Sequence, residues 1–187
     1  MEAFSDGVIA IIITIMVLEL RAPHEPDLTS LFPLAPAFLS YILSFIFLGI
    51  YWSNHHHLLQ AIKHVDGRAL WANLHLLFWL SLIPFVTAWM GENHFAASTV
   101  ALYGAVMMFA GIAYFILTRT LISIHGEDSV LAAAVGRDFK AKLSVVVYLI
   151  AILLALYVSP LVACALYVLV AVAWLVPDRR IEKILRS

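Results

Sequence analysis

Charge is scarce in this 187-residue sequence: Asp, Glu, Lys and Arg make up 12% of it. A soluble domain carries about 25%, and so few polar side chains cannot cover a water-facing surface. The single cysteine, Cys164, excludes an intrachain disulfide framework. A net charge of −1 leaves no basic footprint for nucleic acid. There is no glycine-rich phosphate loop and no HExxH. No nucleophile–base pair converges either, and Ser5 and Asp6 with His55 do not make a triad. Enzyme chemistry is therefore the least supported class, and no cofactor is implied. There is also no TVGYG-like run and no arginine array, which excludes a carbonyl selectivity filter and a voltage sensor.

What fills the sequence instead is hydrophobic, 64% of it. Lipid is the solvent for such a chain, and a spanning helix needs roughly 17–25 mostly apolar residues. Residues 4–20, 31–52, 69–90 and 95–117 each fit one crossing. Residues 143–176 are too long for one; Pro160, which lacks a backbone donor, divides them into two short spans. The alternative there is one kinked, strongly tilted helix. Pro84, in "SLIPFVTAW", is expected to kink the third span. The first span makes a poor signal peptide, because its leading charges, Glu2 and Asp6, are acidic. Residues 1–187 thus read as one all-α, six-span integral membrane domain.

Basic residues set the orientation. With six spans, ten of the eleven Lys and Arg fall on one side, and Arg21 alone falls on the other. That side is read as cytoplasmic and holds both termini. "HGEDSVLAAAVGRDFKAK", between spans four and five, fits either a short interfacial helix or an ordinary charged connector.

Ionisable groups at membrane depth are costly and face protein or water. Asp6 is either an interfacial acid favoured by the helix dipole or, with Ser5, a link from the first helix to its neighbours. His55, His56 and His57 follow Trp52 at the end of span two. Successive helical residues point about 100° apart, which argues against one metal ion shared by all three, and no metal site is expected. One of the three, His55, can instead turn inward to Ser5 or Asp6, which lie at similar depth. Asn73, early in span three, needs buried partners and can join the same layer. On the first helix Ile11, Thr14, Ile15 and Leu18 form one stripe at i, i+3, i+4 and i+7. Periodicity alone reads that stripe as helix or lipid packing, with Thr14 bonded back to its own helix. Glu19 fits two roles equally, an interfacial partner of Arg21 or a cation-gathering acid.

"EAFSDGVIAIIITIMVLEL" resembles the first helix of the transmembrane-protein-175 family, in its prokaryotic six-helix form. The family pattern is Arg-x-x-x-Phe-Ser-Asp; Phe4, Ser5 and Asp6 match, and the arginine would precede Met1. Trp52, His55, Asp66, Asn73 and Pro84 match downstream, whereas the last three spans match only in hydropathy. The resemblance implies a homotetramer whose first helices surround a central pore. Ile11 would then be the constriction, Thr14 a ring of hydroxyls, Ile15 and Leu18 the outer lining, and Glu19 the outer mouth. Ser5, Asp6, Trp52, His55 and Asn73 would form an inter-helix network. The implied function is a potassium-preferring cation channel of the cell membrane, with lipid and monovalent cations as its partners. The competing readings are a proton-coupled transporter or proton pathway using Asp6 and His55, and a structural membrane protein without transport.

Overall fold

The computed structural model describes residues 1–126, 131–132 and 139–175. Among them the regular elements are helices. These are α1 (Glu2–Leu18), a 3-10 turn (Leu28–Leu34), α2 (Ala35–Gln60), α3 (Gly67–Ser81), α4 (Ile83–Glu92), α5 (Ala97–His125), α6 (Phe139–Tyr157) and α7 (Pro160–Leu175). The stretches Leu28–Gln60, Gly67–Glu92, Ala97–His125 and Lys140–Tyr157 are long and apolar enough to cross a membrane. The 17-residue α1 and the 16-residue α7 are shorter. At 1.5 Å per residue, 17 residues reach about 26 Å, a little under the hydrocarbon thickness. With α3 and α4 taken as one broken span, six long helical segments make the bundle among the described residues. The chain is a multi-pass membrane protein.

The ends of the helices follow local chemistry. Asp66 caps α3, its carboxylate accepting the Ala69 N–H at 3.0 Å. Pro84 sits in the first turn of α4, where its missing N–H costs least. The third span is accordingly interrupted at Leu82, whose backbone stays in the α region. Pro160 opens α7 in the same way, and the backbone N–H groups of Val158 and Ser159 both close on Leu154 O. The 143–176 run is therefore two helices. The two largest differences from the hydropathy reading are at helix C-termini. α2 continues to Gln60, beyond residue 52, and α5 continues to His125, beyond residue 117. Apolar character fades there, but polar side chains such as the histidines do not interrupt the backbone hydrogen-bond ladder. Of the connector between α5 and α6, residues 127–130 and 133–138 lie outside the described residues, as does the basic tail from 176 onward.

α1 packs on α2, α3 and α4, while α5 packs on α3, α4, α6 and α7. Small residues let the helices approach closely. A Cβ on Gly91 would lie 2.7 Å from the Ala37 Cα of α2 and 2.6 Å from Ser40 Oγ. A Cβ on Gly104 of α5 would collide with the Tyr167 hydroxyl of α7. That hydroxyl donates to Val100 O at 3.1 Å, so the ring is fixed against the glycine. Between α4 and α5 the chain turns through His94 and Phe95 at φ 50° and 60°. The turn is held by the bonds Phe95 N–H to Met90 O (3.0 Å) and His94 N–H to Gly91 O (3.2 Å).

Candidate functional site

The two faces of α1 differ. Ser5, Ile9, Ile12 and Met16 are buried against the bundle. On the opposite face Ile11 is 58% exposed, Ile15 42% and Leu18 79%, and Thr14 is exposed beside them. None of the described residues covers this stripe. The Thr14 hydroxyl donates to Ile11 O at 2.8 Å, so its proton is spent on its own helix and its oxygen faces outward.

The buried face is tied at one end by a polar layer. Asn73 Nδ2 donates to Ser5 Oγ at 2.9 Å. His55 Nε2 lies 2.8 Å from Asn73 Oδ1; a carbonyl oxygen only accepts, so Nε2 carries the hydrogen. Ser5 passes its own proton to Met1 O at 3.1 Å. All three side chains are essentially inaccessible, and the two inter-helix bonds join α1, α3 and α2 in series. His55 Nδ1 is buried with no hydrogen-bond partner among the described residues. Asp6 stands at the edge of the layer, where Trp52 Nε1 donates to its Oδ1 at 3.1 Å. Asp6 is thus held by Trp52, and His55 by Asn73; no hydrogen bond joins Asp6 to His55 among the described residues.

The three consecutive histidines have three different neighbours. His55 reaches Asn73, His57 Nδ1 bonds Ser53 O at 2.7 Å, and His56 turns to Glu2 and Gln60. No three His, Cys, Asp or Glu side chains converge among the described residues. Asp66, named in the sequence for its place in the family pattern, works as the α3 cap. The Ala69 N–H, and then Arg68 at 2.8 Å, hold its carboxyl below the usual carboxylate range.

At the other end of α1, an open groove of about 620 Å³ runs between α1 and α4. Ile11 and Ile15 line it on one side and Phe85 on the other, with Glu19, Arg21 and Glu92 at its rim. Glu19 and Arg21 share this groove without an ion pair between them among the described residues. Glu92 escaped the sequence reading because it follows span three by chain order and shares a groove with Glu19 only in space. So did the buried trio of Ser44, Thr87 and Tyr103, in which Ser44 Oγ lies 2.7 Å from Thr87 Oγ1 and donates to the Tyr103 hydroxyl at 3.1 Å. A lone hydroxyl inside an apolar run was the available signal, but it does not say which helix answers it.

These features define a class: a polytopic helical membrane protein whose first helix is clamped on one face and bare on the other. Residues 1–84 match the family described as endosomal/lysosomal potassium channel TMEM175. Over all 187 residues the chain is 53% identical to a protein of Chryseobacterium sp. (strain P1-3) named as a potassium channel, covering 97% of it. The chain belongs to the TMEM175 family. It is also 34% identical over 134 residues to a Streptomyces collinus protein named as a potassium channel, 64% of either chain. Its fold matches the crystal structure of a lysosomal potassium-selective channel TMEM175 homolog from Chamaesiphon minutus. The TM-score is 0.78 at 26% identity, covering 93% of this chain and 94% of that one. Both named relatives and this structural neighbour are channels, not enzymes.

Proposed function

We propose that this protein is a potassium-preferring cation channel, with its path enclosed by α1 from four copies. The observation that carries the reading is the bare stripe of Ile11, Thr14, Ile15 and Leu18, set opposite a face held rigidly by polar bonds. A helix that ran freely in lipid would have no need of that buried layer. Relatives named as potassium channels support the choice of ion.

A path of this kind works by hydration energetics. Moving a small ion fully into a low-dielectric medium costs on the order of 20 kcal/mol in the idealised limit. Bulky apolar rings resist wetting and act as gates. Potassium is larger than sodium and gives up part of its water at lower cost, so a narrow ring at Ile11 favours it. Four outward-facing Thr14 oxygens would replace part of the lost hydration, with Ile15 and Leu18 continuing the lining. Glu19 would concentrate cations at the outer mouth. Ser5, Asp6, Trp52, His55 and Asn73 would hold the pore helices in register. The one-sided distribution of basic residues supports cytoplasmic termini and residence in the cell membrane.

The test is potassium flux into liposomes holding the purified protein. Wild type is expected to pass potassium in preference to sodium, and Ile11→Asn to raise total flux and weaken the preference by wetting the constriction. Absence of flux from an assembled preparation rejects the channel; an unchanged selectivity in Ile11→Asn removes that residue from the path. The proton-pathway reading is less well supported, because Asp6 and His55 have separate partners. It requires saturable transport driven by a pH gradient.

A further inference from the structure

A second attachment of α1 lies one turn before the Ser5 layer. Glu2 Oε1 is 3.0 Å from Nδ1 of His56 on α2. The approach is off the N–H axis: His56 Nδ1 is buried and makes no aligned hydrogen bond. A charge on the ring would therefore strengthen this contact more than hydrogen-bond geometry does. The other ring nitrogen, Nε2, lies 2.8 Å from Gln60 Nε2. An amide NH2 only donates, so in this arrangement Nε2 is the acceptor of that contact. The imidazole also stacks on Trp52, with ring centroids 5.9 Å apart and planes 20° from parallel. Trp52 in turn holds Asp6 of α1. One histidine thus touches both acids of the first helical turns, Glu2 directly and Asp6 through the indole.

From this arrangement we infer that Glu2 and His56 are positioning residues that fasten the start of the pore helix to α2 in a proton-dependent way. A proton taken from water onto His56 Nε2 makes the ring cationic. Gln60 answers by turning its amide to offer Oε1, and the Glu2 contact becomes an ion pair. The cation also lies over the Trp52 face, where the ring quadrupole favours it. Histidine is the side chain suited to this, since its charge changes between pH 5 and 8.

The charged surroundings are few. α1 presents Glu2 and Asp6, which also act on His55, and the Met1 amino group directly precedes Glu2. α2 presents His55 and His57, the latter bonded to Ser53 O. α3 enters the layer through neutral Asn73, and the charges at its start, Asp66 and Arg68, are paired with each other at 2.8 Å. The side chains of His56 and Glu2 are 33% and 45% exposed, so protons reach them and solvent screens the pair. A partly exposed pair of this kind changes an equilibrium roughly twofold to fivefold. The effect on conduction rests on the channel reading above; the contact itself does not.

The experiment therefore has two arms. In the first, thermal stability of the purified protein is measured for wild type, Glu2→Gln, His56→Gln and the double variant, at pH 5.5 and pH 8. The expected result is a coupling of roughly twofold to fivefold at pH 5.5 and additive effects at pH 8. Additivity at both values, or equal coupling at both, overturns the proton-dependent contact whether or not the protein conducts. In the second arm, potassium flux is compared at the same two values. Wild-type flux is expected to differ between them, and either single variant to abolish the difference. His56→Lys, which keeps the positive charge, should hold flux at its pH 5.5 level throughout. A wild-type pH response retained in His56→Gln overturns the link to the pore. Flux absent in every protein would reject the channel reading, and with it that link, and leave the first arm to decide the contact.

Discussion

Asn73 shows how much one amide can carry at membrane depth. Its oxygen takes the His55 N–H and its NH2 serves Ser5, so three helices depend on one side chain. Replacing it with alanine would leave the buried His55 Nε2 without its partner and Ser5 with only its bond to Met1 O. The expected loss is about 1–3 kcal/mol, seen as a lower unfolding temperature of the detergent-purified protein. Asp66 behaves differently because it is exposed. The Ala69 N–H and Arg68 lower its pKa in the folded protein, so its stabilisation is complete above the unfolded value of about 3.9 and is lost as pH falls further. Hydrogen-exchange protection of the Ala69 amide is expected to stay level from pH 8 to 5 and to fall below about pH 4. Asp66→Ala should lower that protection at every pH, while Asp66→Asn, still a good cap, should keep most of it.

At the scale of the helices, the important contacts are close approaches of backbone. Gly91 puts α4 against Ala37 of α2, where the obstructing atom is backbone and cannot swing aside. Gly91→Leu is expected to force the two helices apart, at a cost of about 1–3 kcal/mol or more. Because α4 also carries one wall of the groove beside α1, a shift there should alter flux as well as stability. Gly111 offers a control, since its nearest neighbours would sit 3.8 and 3.9 Å from a Cβ. Gly111→Ala should be neutral in the same stability assay.

For the whole molecule, the uncovered face of α1 dominates. A stripe in which Ile11 and Leu18 are 58% and 79% exposed is unremarkable beside lipid, but here it lies directly opposite the clamped face of the same helix. α1 meets α2, α3 and α4 on its inner side, and in the proposed channel the outer side would face other copies and the ions between them. The reading predicts a particle of four chains by mass measurement in detergent. It also predicts that a cysteine at position 11 crosslinks chain to chain more readily than one at position 9, which faces inward. Crosslinking from position 9 alone would place another surface at the axis.

Much of this was legible in the residues. Long apolar runs, Pro84 and Pro160 defined the spans and their breaks, because a helix in lipid must satisfy its own backbone and proline cannot. The Phe4-Ser5-Asp6 match named the family, and the i, i+3, i+4 spacing already grouped the stripe. Pairing between helices was not legible. That Asn73 answers both Ser5 and His55, that Asp6 takes Trp52, and that Glu2 meets His56 are matters of helix rotation and depth. Periodicity tells which side chains share a face, since that depends on one helix alone. Which face meets which is decided by packing between helices, through glycines such as Gly91 and Gly104, and so only the folded bundle could decide it.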